Sequence, residues 1–270
     1  MVHRDPDIKD PSNDVPQAGC HSADRGSLPW TYPFHEEADV TEIRVVQPND
    51  QGWVPEPGPG GAGSPTGQLE AFTSPDGLFT TGLWWRDPDE WPFERAHDEV
   101  AFITGGDADI ELDDGRVFTI AAGDVVVTPF GCKGVWRVRE RVTKVYAIYD
   151  GPRLAAGAPG AWIGAGSDKD WVVLESEPGD PNEPGQEWYA FRSSDGKFST
   201  GVWKRVPETG PVDKTSDEVS VLIRGEVEID IAGGETVSAG VGDVLVTAKG
   251  CRGTWRAQSF VEKFWAVYHG

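Results

Sequence analysis

The sequence predicts an all-β chain built as two tandem jelly-roll β-barrels behind an extended N-terminal arm, and three observations carry that prediction. The first is an internal duplication. Residues 76–149 return without a gap 119 positions later, so that Asp98-Glu99-Val100, Gly123-Asp124-Val125 and Trp136 come back as Asp217-Glu218-Val219, Gly242-Asp243-Val244 and Trp255. A long unit in two copies is a duplicated domain rather than a solenoid. The second is a series of short Val-, Ile-, Thr- and aromatic-rich segments cut by Gly and Asp turns. The third is that no run of ten residues keeps a helical period.

In chain order, residues 1–40 form the arm, rich in Asp, Pro, Ser and Gly and without apolar periodicity. The aromatics of Trp30-Thr31-Tyr32-Pro33-Phe34 would pin it to a globular surface. Thr41–Val46 is a leading strand with Ile43 and Val45 on one face, and Pro55–Thr66 is a loop. The first barrel, residues 41–150, then offers strands at Leu78–Arg86, Glu99–Thr104, Ala108–Leu112, Val117–Ile120, Val125–Thr128, Gly134–Val138 and Thr143–Tyr149. Asp113-Asp114-Gly115 makes a hairpin turn among them. Residues 151–168 read as a Gly/Ala/Pro linker, and Asp170–Glu175 as a second leading strand. Residues 169–270 repeat the set, with Ala232-Gly233-Gly234 at the matching hairpin.

The 270 residues carry 45 Asp+Glu against 24 Lys+Arg, a net charge of −21. That field repels phosphate backbones and anionic lipid, so neither nucleic acid nor a membrane is an expected partner. No apolar leader or membrane-length run is visible, and a cytoplasmic protein is expected. Of the three cysteines, Cys132 and Cys251 occupy one position in the two repeats and read as small buried residues. With Cys20 they make an odd set that argues against a disulfide framework.

The landmarks fit a known pattern. Glu99, Gly106, Gly123-Asp124 and Pro129-Phe130-Gly131, and again Glu218, Gly225, Gly242-Asp243 and Gly250 with Ala248 in place of the proline, resemble the cupin barrel. The chain is thus similar to a bicupin. Gly131–Trp136 and Gly250–Trp255, with the closing strands at Lys144 and Lys263, resemble the ureidoglycine aminohydrolase and ethanolamine-utilisation subgroup. The resemblance implies association through outer strands, and so a homodimer. It also implies where a divalent ion would be held: at Pro92, Glu94, Glu99 and Gly134, or at Pro211, Asp213, Glu218 and Gly253. No imidazole stands at any of these positions. The manganese ligands of ureidoglycine aminohydrolase are not reproduced, and no cofactor is expected. The one alternative metal set is Glu94, His97 and Glu99, since His97 and Glu99 share strand parity.

Two readings of Glu99 stay open. It is an acid–base group, or it is a structural carboxylate paired inside the barrel with Lys144 or Arg86, which recur as Lys263 and Arg205. Repeat one alone has Trp85, Trp91, Glu94, His97 and Tyr146, where repeat two has Lys204, Gly210, Asp213, Ser216 and Trp265. Convergent polar groups among aromatics suit a small-molecule site, although aromatics also serve as strand packing. The first barrel is therefore expected to hold the chemistry, with Glu94, His97, Glu99, Lys144 and Tyr146 catalytic and Trp85, Arg86, Trp91 and Trp136 binding substrate. The expected function is a small-molecule enzyme doing proton-transfer chemistry (isomerisation, elimination, cyclisation or hydrolytic deamination) without a tightly bound redox metal. The alternatives are a non-catalytic metabolite-binding or scaffold bicupin, and a metal-dependent hydrolase or oxygenase with Glu/His/Glu ligation.

Overall fold

Strands form where apolar and polar residues alternate, and they end at the Gly and Asp turns. The computed structural model describes residues 43–47, 50, 52–55, 65–152, 162–164, 172–173, 185–205 and 207–270. The arm, with Trp30 to Phe34 and Cys20, lies outside them, as does most of the linker. The first nine strands are β1 (Ile43–Val46), β2 (Val54–Pro55), β3 (Thr66–Thr73), β4 (Phe79–Arg86), β5 (Asp89–Glu94), β6 (Asp98–Leu112), β7 (Val117–Ala121), β8 (Val125–Thr128) and β9 (Lys133–Tyr149). There follow β10 (Trp162–Gly164), β11 (Val172–Val173), β12 (Gln186–Arg192), β13 (Phe198–Arg205), β14 (Glu208–Asp213), β15 (Asp217–Arg224), β16 (Val227–Ile231), β17 (Thr236–Ala239), β18 (Val244–Thr247), β19 (Arg252–Ala257) and β20 (Val261–Tyr268). No helix occurs among the described residues, and none is therefore long and apolar enough to cross a membrane.

Each repeat supplies one main sheet. The first runs β10-β8-β6-β9-β4-β3-β2, with β5 and β7 added on β9 and β6; the second runs β1-β18-β15-β20-β13-β12-β11. In repeat two the outer strands β14-β19-β16-β17 form a separate sheet. Repeat one keeps them joined, because β6 and β9 run on where the sequence predicts breaks. The irregularity survives as register shifts around Gly105 and Gly106. Gly106 has φ +77°, and a Cβ there would lie 2.0 Å from the Arg141 carbonyl oxygen, so the crossing needs a glycine.

β3, β5 and their counterparts β12 and β14 are strands that the sequence reading leaves out. In β5 a charged or Pro residue breaks every apolar pair, the composition of an edge strand.

The leading strands exchange barrels. Ile43–Val46, expected in the first barrel, pairs antiparallel with β18 of the second, Ile43 opposite Thr247 and Val46 opposite Val244. Trp162–Gly164, expected as linker, pairs with β8 of the first, Trp162 opposite Val127. The exposed backbone edge of each β8-type strand is thus closed by the other repeat's leader, which answers the edge-strand hazard.

Both barrels lie in one unit, Asp39–Gly270, and their main sheets share a core. Phe79 stacks on Tyr268 at 5.8 Å, Tyr149 on Phe198 at 5.5 Å and Phe102 on Phe264 at 5.6 Å. The Tyr149 hydroxyl donates to Asp195 and the Tyr268 hydroxyl to Asp76, each at 2.6 Å. These are the same bond made twice, as a pseudo-two-fold packing requires. The opposite face of each sheet lines its barrel. In the first, Glu99 shares its side of β6 with Ala101 and Ile103, which pack with Ile110, Val126 and Trp136.

Candidate functional site

A carboxylate inside a β-barrel is costly unless its charge is answered. Glu99, 5% exposed, is answered twice. Lys144, opposite Ile103 on β9, bonds Oε1. Arg95, just past β5, places one guanidinium nitrogen 2.9 Å from Oε2 and another 3.3 Å from Oε1, while its Nε donates to Thr128 Oγ1 at 2.9 Å. Burial pushes the Glu99 carboxyl up, but Arg95 and Lys144 overcome it and hold the pKa down at about 2. The group stays ionised and makes a poor base.

The Lys144 ammonium lies 4.8 Å from the Trp84 ring centre and 5.6 Å from that of Trp136. Trp91 stacks nearly flat on Trp136, 5.8 Å apart, and carries the Arg86 guanidinium at 3.9 Å on its face. These indoles form an aromatic wall under the ion cluster. His97 stands at the mouth, half-buried, with Nε2 4.0 Å from Glu99 Oε2. Burial lowers its pKa further than Glu99 raises it, so the imidazole is neutral near pH 7. Tyr146 is buried, and its hydroxyl accepts from Gln68 Nε2 at 2.6 Å.

The second barrel repeats the arrangement. Glu218 bonds Lys214 and Lys263 and accepts from Ser220 Oγ at 2.7 Å. Lys263 sits over Trp203 at 5.1 Å and Trp255 at 5.6 Å. Burial works against the charge of Glu218, and the two lysines hold its carboxyl far below the usual range. Arg95, Lys144, Trp84 and Trp136 thus return, position for position, as Lys214, Lys263, Trp203 and Trp255.

Of the expected site residues, the structure brings together His97, Glu99 and Lys144, with Trp136 beneath them and Tyr146 two residues on along β9. Three are corrected. Glu94 is exposed and pairs with Lys133 at 2.8 Å, because β5 alternates and turns its even-numbered residues outward. Trp85 faces away from the barrel interior and carries Arg141 at 4.2 Å, since it is Trp84 that stands opposite Lys144. Arg86 bonds Asp89 rather than Glu99. Arg95 and Trp84, which do meet Lys144 and Glu99, are absent from the sequence reading. Their recurrence 119 residues on is the signal that finds them.

The same geometry tests the divalent ion that the fold implies. Among the described residues, no three His, Cys, Asp or Glu side chains are placed to hold a metal ion together. With Glu94 turned outward, the set Glu94, His97 and Glu99 does not form. At Gly134 a Cβ would lie 2.2 Å from the Glu111 carbonyl oxygen, and at Gly253 2.4 Å from that of Asp230, so neither position accepts a ligand side chain. Both oxygens of each glutamate already face cations. The residues present do not fit the ion.

The EutQ-like cupin domain matches this chain at residues 73–146 and 192–265, more than half of its length. The chain belongs to that family, and it is a bicupin. Solved structures share the fold across most of the chain. One is a protein of unknown function from Pseudomonas syringae pv. tomato str. DC3000, with 20% identity, TM-score 0.59, and 84% of this chain and 93% of that one covered. Another is protein Ylba from E. coli, with 10% identity, TM-score 0.63, and 85% and 91% covered. A third is the Streptomyces albus HEPD with 2-hydroxyethylphosphonate and Fe(II) bound, with 11% identity, TM-score 0.61, and 87% and 78% covered. Comparison with curated proteins gave no match.

Proposed function

We propose that this bicupin is a small-molecule enzyme whose first barrel carries out proton transfer without a tightly bound redox metal. One observation carries the reading: Glu99 is neutralised on both oxygens by Arg95 and Lys144, which leaves one positive charge in surplus beside the neutral imidazole of His97. A fixed cation in a dry barrel stabilises an oxyanion as it forms, the electrostatic task that a Lewis acid performs in other active sites. His97 takes a proton from the carbon next to a substrate carbonyl, and Arg95 and Lys144 stabilise the charge that moves to the oxygen. Return of the proton at a neighbouring carbon gives isomerisation; loss of a leaving group gives elimination. Glu99 holds the cations in place, and the Trp84, Trp91 and Trp136 wall excludes water. That a solved enzyme of this fold holds Fe(II) and a small substrate supports a barrel interior of this fold as a place for small-molecule chemistry.

The experiment is elemental analysis of untagged protein after incubation with excess Mn, Fe, Ni and Zn, together with an NMR titration of His97. The expected result is no stoichiometric metal and a His97 pKa below the ordinary value of about 6.5. Near-stoichiometric metal, or a His97 pKa above about 7, overturns the reading. A second reading, a non-catalytic metabolite-binding bicupin, is favoured by the recurrence of the ion cluster in the barrel that lacks the histidine. Binding without turnover across carbonyl substrates would select it.

A further inference from the structure

We infer that the second barrel holds a ligand site of its own, built for a small carboxylate with a flat, apolar body. A cleft of about 340 Å³ opens there, with Glu218 and Lys263 inside it and Trp203, Trp265, Glu187 and Arg192 among its walls. That volume is at the small end of the range for small-molecule sites.

Charge selects the ligand. Glu218 is answered by Lys214 and Lys263, so this cluster has one positive charge in surplus, and Arg192 adds another at the rim. The opposing carboxyl is Glu187. Burial raises its pKa against the lowering effects of the Tyr189 hydroxyl and Lys263, while burial lowers that of Lys263 against the pull of Glu218. In a protein of net charge −21, a concave site with a local cationic excess favours anions. The walls select the body. The Trp203 and Trp265 indoles are flat, and the Trp265 ring, 6% exposed, keeps an N–H that finds no acceptor among the described residues. An aromatic carboxylate matches these features together: its ring lies against indole and its oxygens face Lys263 and Ser216.

The first barrel fills the matching positions differently. Where the second has Ser216, Glu187 and Trp265, the first has His97 near Glu99, and Gln68 hydrogen-bonded to Tyr146. The site is therefore independent of the proton-transfer reading, and either can fail alone.

Benzoate is the test ligand, titrated into the full-length protein while the indole N–H resonances are followed by NMR. The expected result is a saturable shift of Trp203 and Trp265 with millimolar or tighter affinity. Benzyl alcohol, of similar shape but neutral, should bind roughly ten-fold more weakly. Ser216→His, which writes the first barrel's imidazole into the cleft, should weaken benzoate by about ten-fold with the circular dichroism unchanged. If that variant fails to fold, the exposed change Arg192→Gln should cost about five-fold. No saturable shift up to about 50 mM benzoate overturns the inference. So do shifts confined to Trp84, Trp91 and Trp136, or equal affinity for benzyl alcohol.

Discussion

The two barrels hold the same buried ion cluster in different surroundings. Each sets a glutamate between two cations over two indoles, and the recurrence shows which residues the barrel interior requires. The mouths differ. The first has an imidazole, a bidentate-capable arginine and a third stacked indole, Trp91. The second has Ser216, a lysine and Gly210, beside which a side chain would meet open space. Duplication has therefore kept the floor and varied the rim, and chemistry that differs between the repeats belongs to the rim.

The sharpest way to break this comparison is to remove one cation from each floor. Lys144→Met and Lys263→Met each strand a buried carboxylate against fewer partners and should cost about 3–5 kcal/mol, read by urea unfolding at pH 7. Arg95 offers Glu99 two charged nitrogens, whereas Glu218 keeps one lysine nitrogen and the neutral Ser220 hydroxyl, so the second barrel should lose slightly more. A loss under about 1 kcal/mol in both variants would mean that the floors are not desolvated ion clusters.

Acid should act on both floors alike. The Glu99 pKa falls from 4.5 unfolded to about 2 folded. Its contribution is present above pH 4.5 and fades as pH drops toward 2, a loss of about 3 kcal/mol. Glu218 is shifted in the same direction. Unfolding free energy measured across this window should fall steeply, and Glu99→Gln should flatten part of the slope. An unchanged slope in that variant would refute the assignment.

The cross-barrel bonds come next. Tyr149→Phe and Tyr268→Phe each remove a hydroxyl from a carboxylate, about 1.5–3 kcal/mol, and pseudo-symmetry predicts equal costs. A large inequality in denaturant midpoints would show that the two halves of the interface are not equivalent. The smallest effect belongs to Glu94→Ala. An exposed pair contributes little, so the melting midpoint should not move, whereas a clear drop would return Glu94 to the interior.

The fold was legible because a duplicated sequence prints its own control. The Glu99–Lys144 pair was legible for the same reason, as two charges that recur on facing strands. Glu94 and Trp85 stand out in the sequence because they differ between repeats, yet both face away from the barrel interior. Parity already separated Glu94 from the interior set. Trp91, Phe93, Arg95, His97 and Glu99 are all odd-numbered, so the rule that united His97 with Glu99 also excludes Glu94 and points to Arg95. What one strand's sequence cannot state is which sheet edge it will join. Ile43–Val46 reads as the leading strand of the first barrel, and it is the edge of β18 in the second that it joins.

That pairing also orders events during synthesis. Ile43–Val46 leaves the ribosome about 200 residues before Val244–Thr247, the strand it must meet, so its backbone groups wait through nearly the whole translation. Trp162–Gly164, by contrast, emerges shortly after the β8 edge that it covers. The first barrel can therefore close while the chain is still growing. The second completes only when the earliest-made strand is recruited across the molecule, a long loop closure that makes it the slower half to fold.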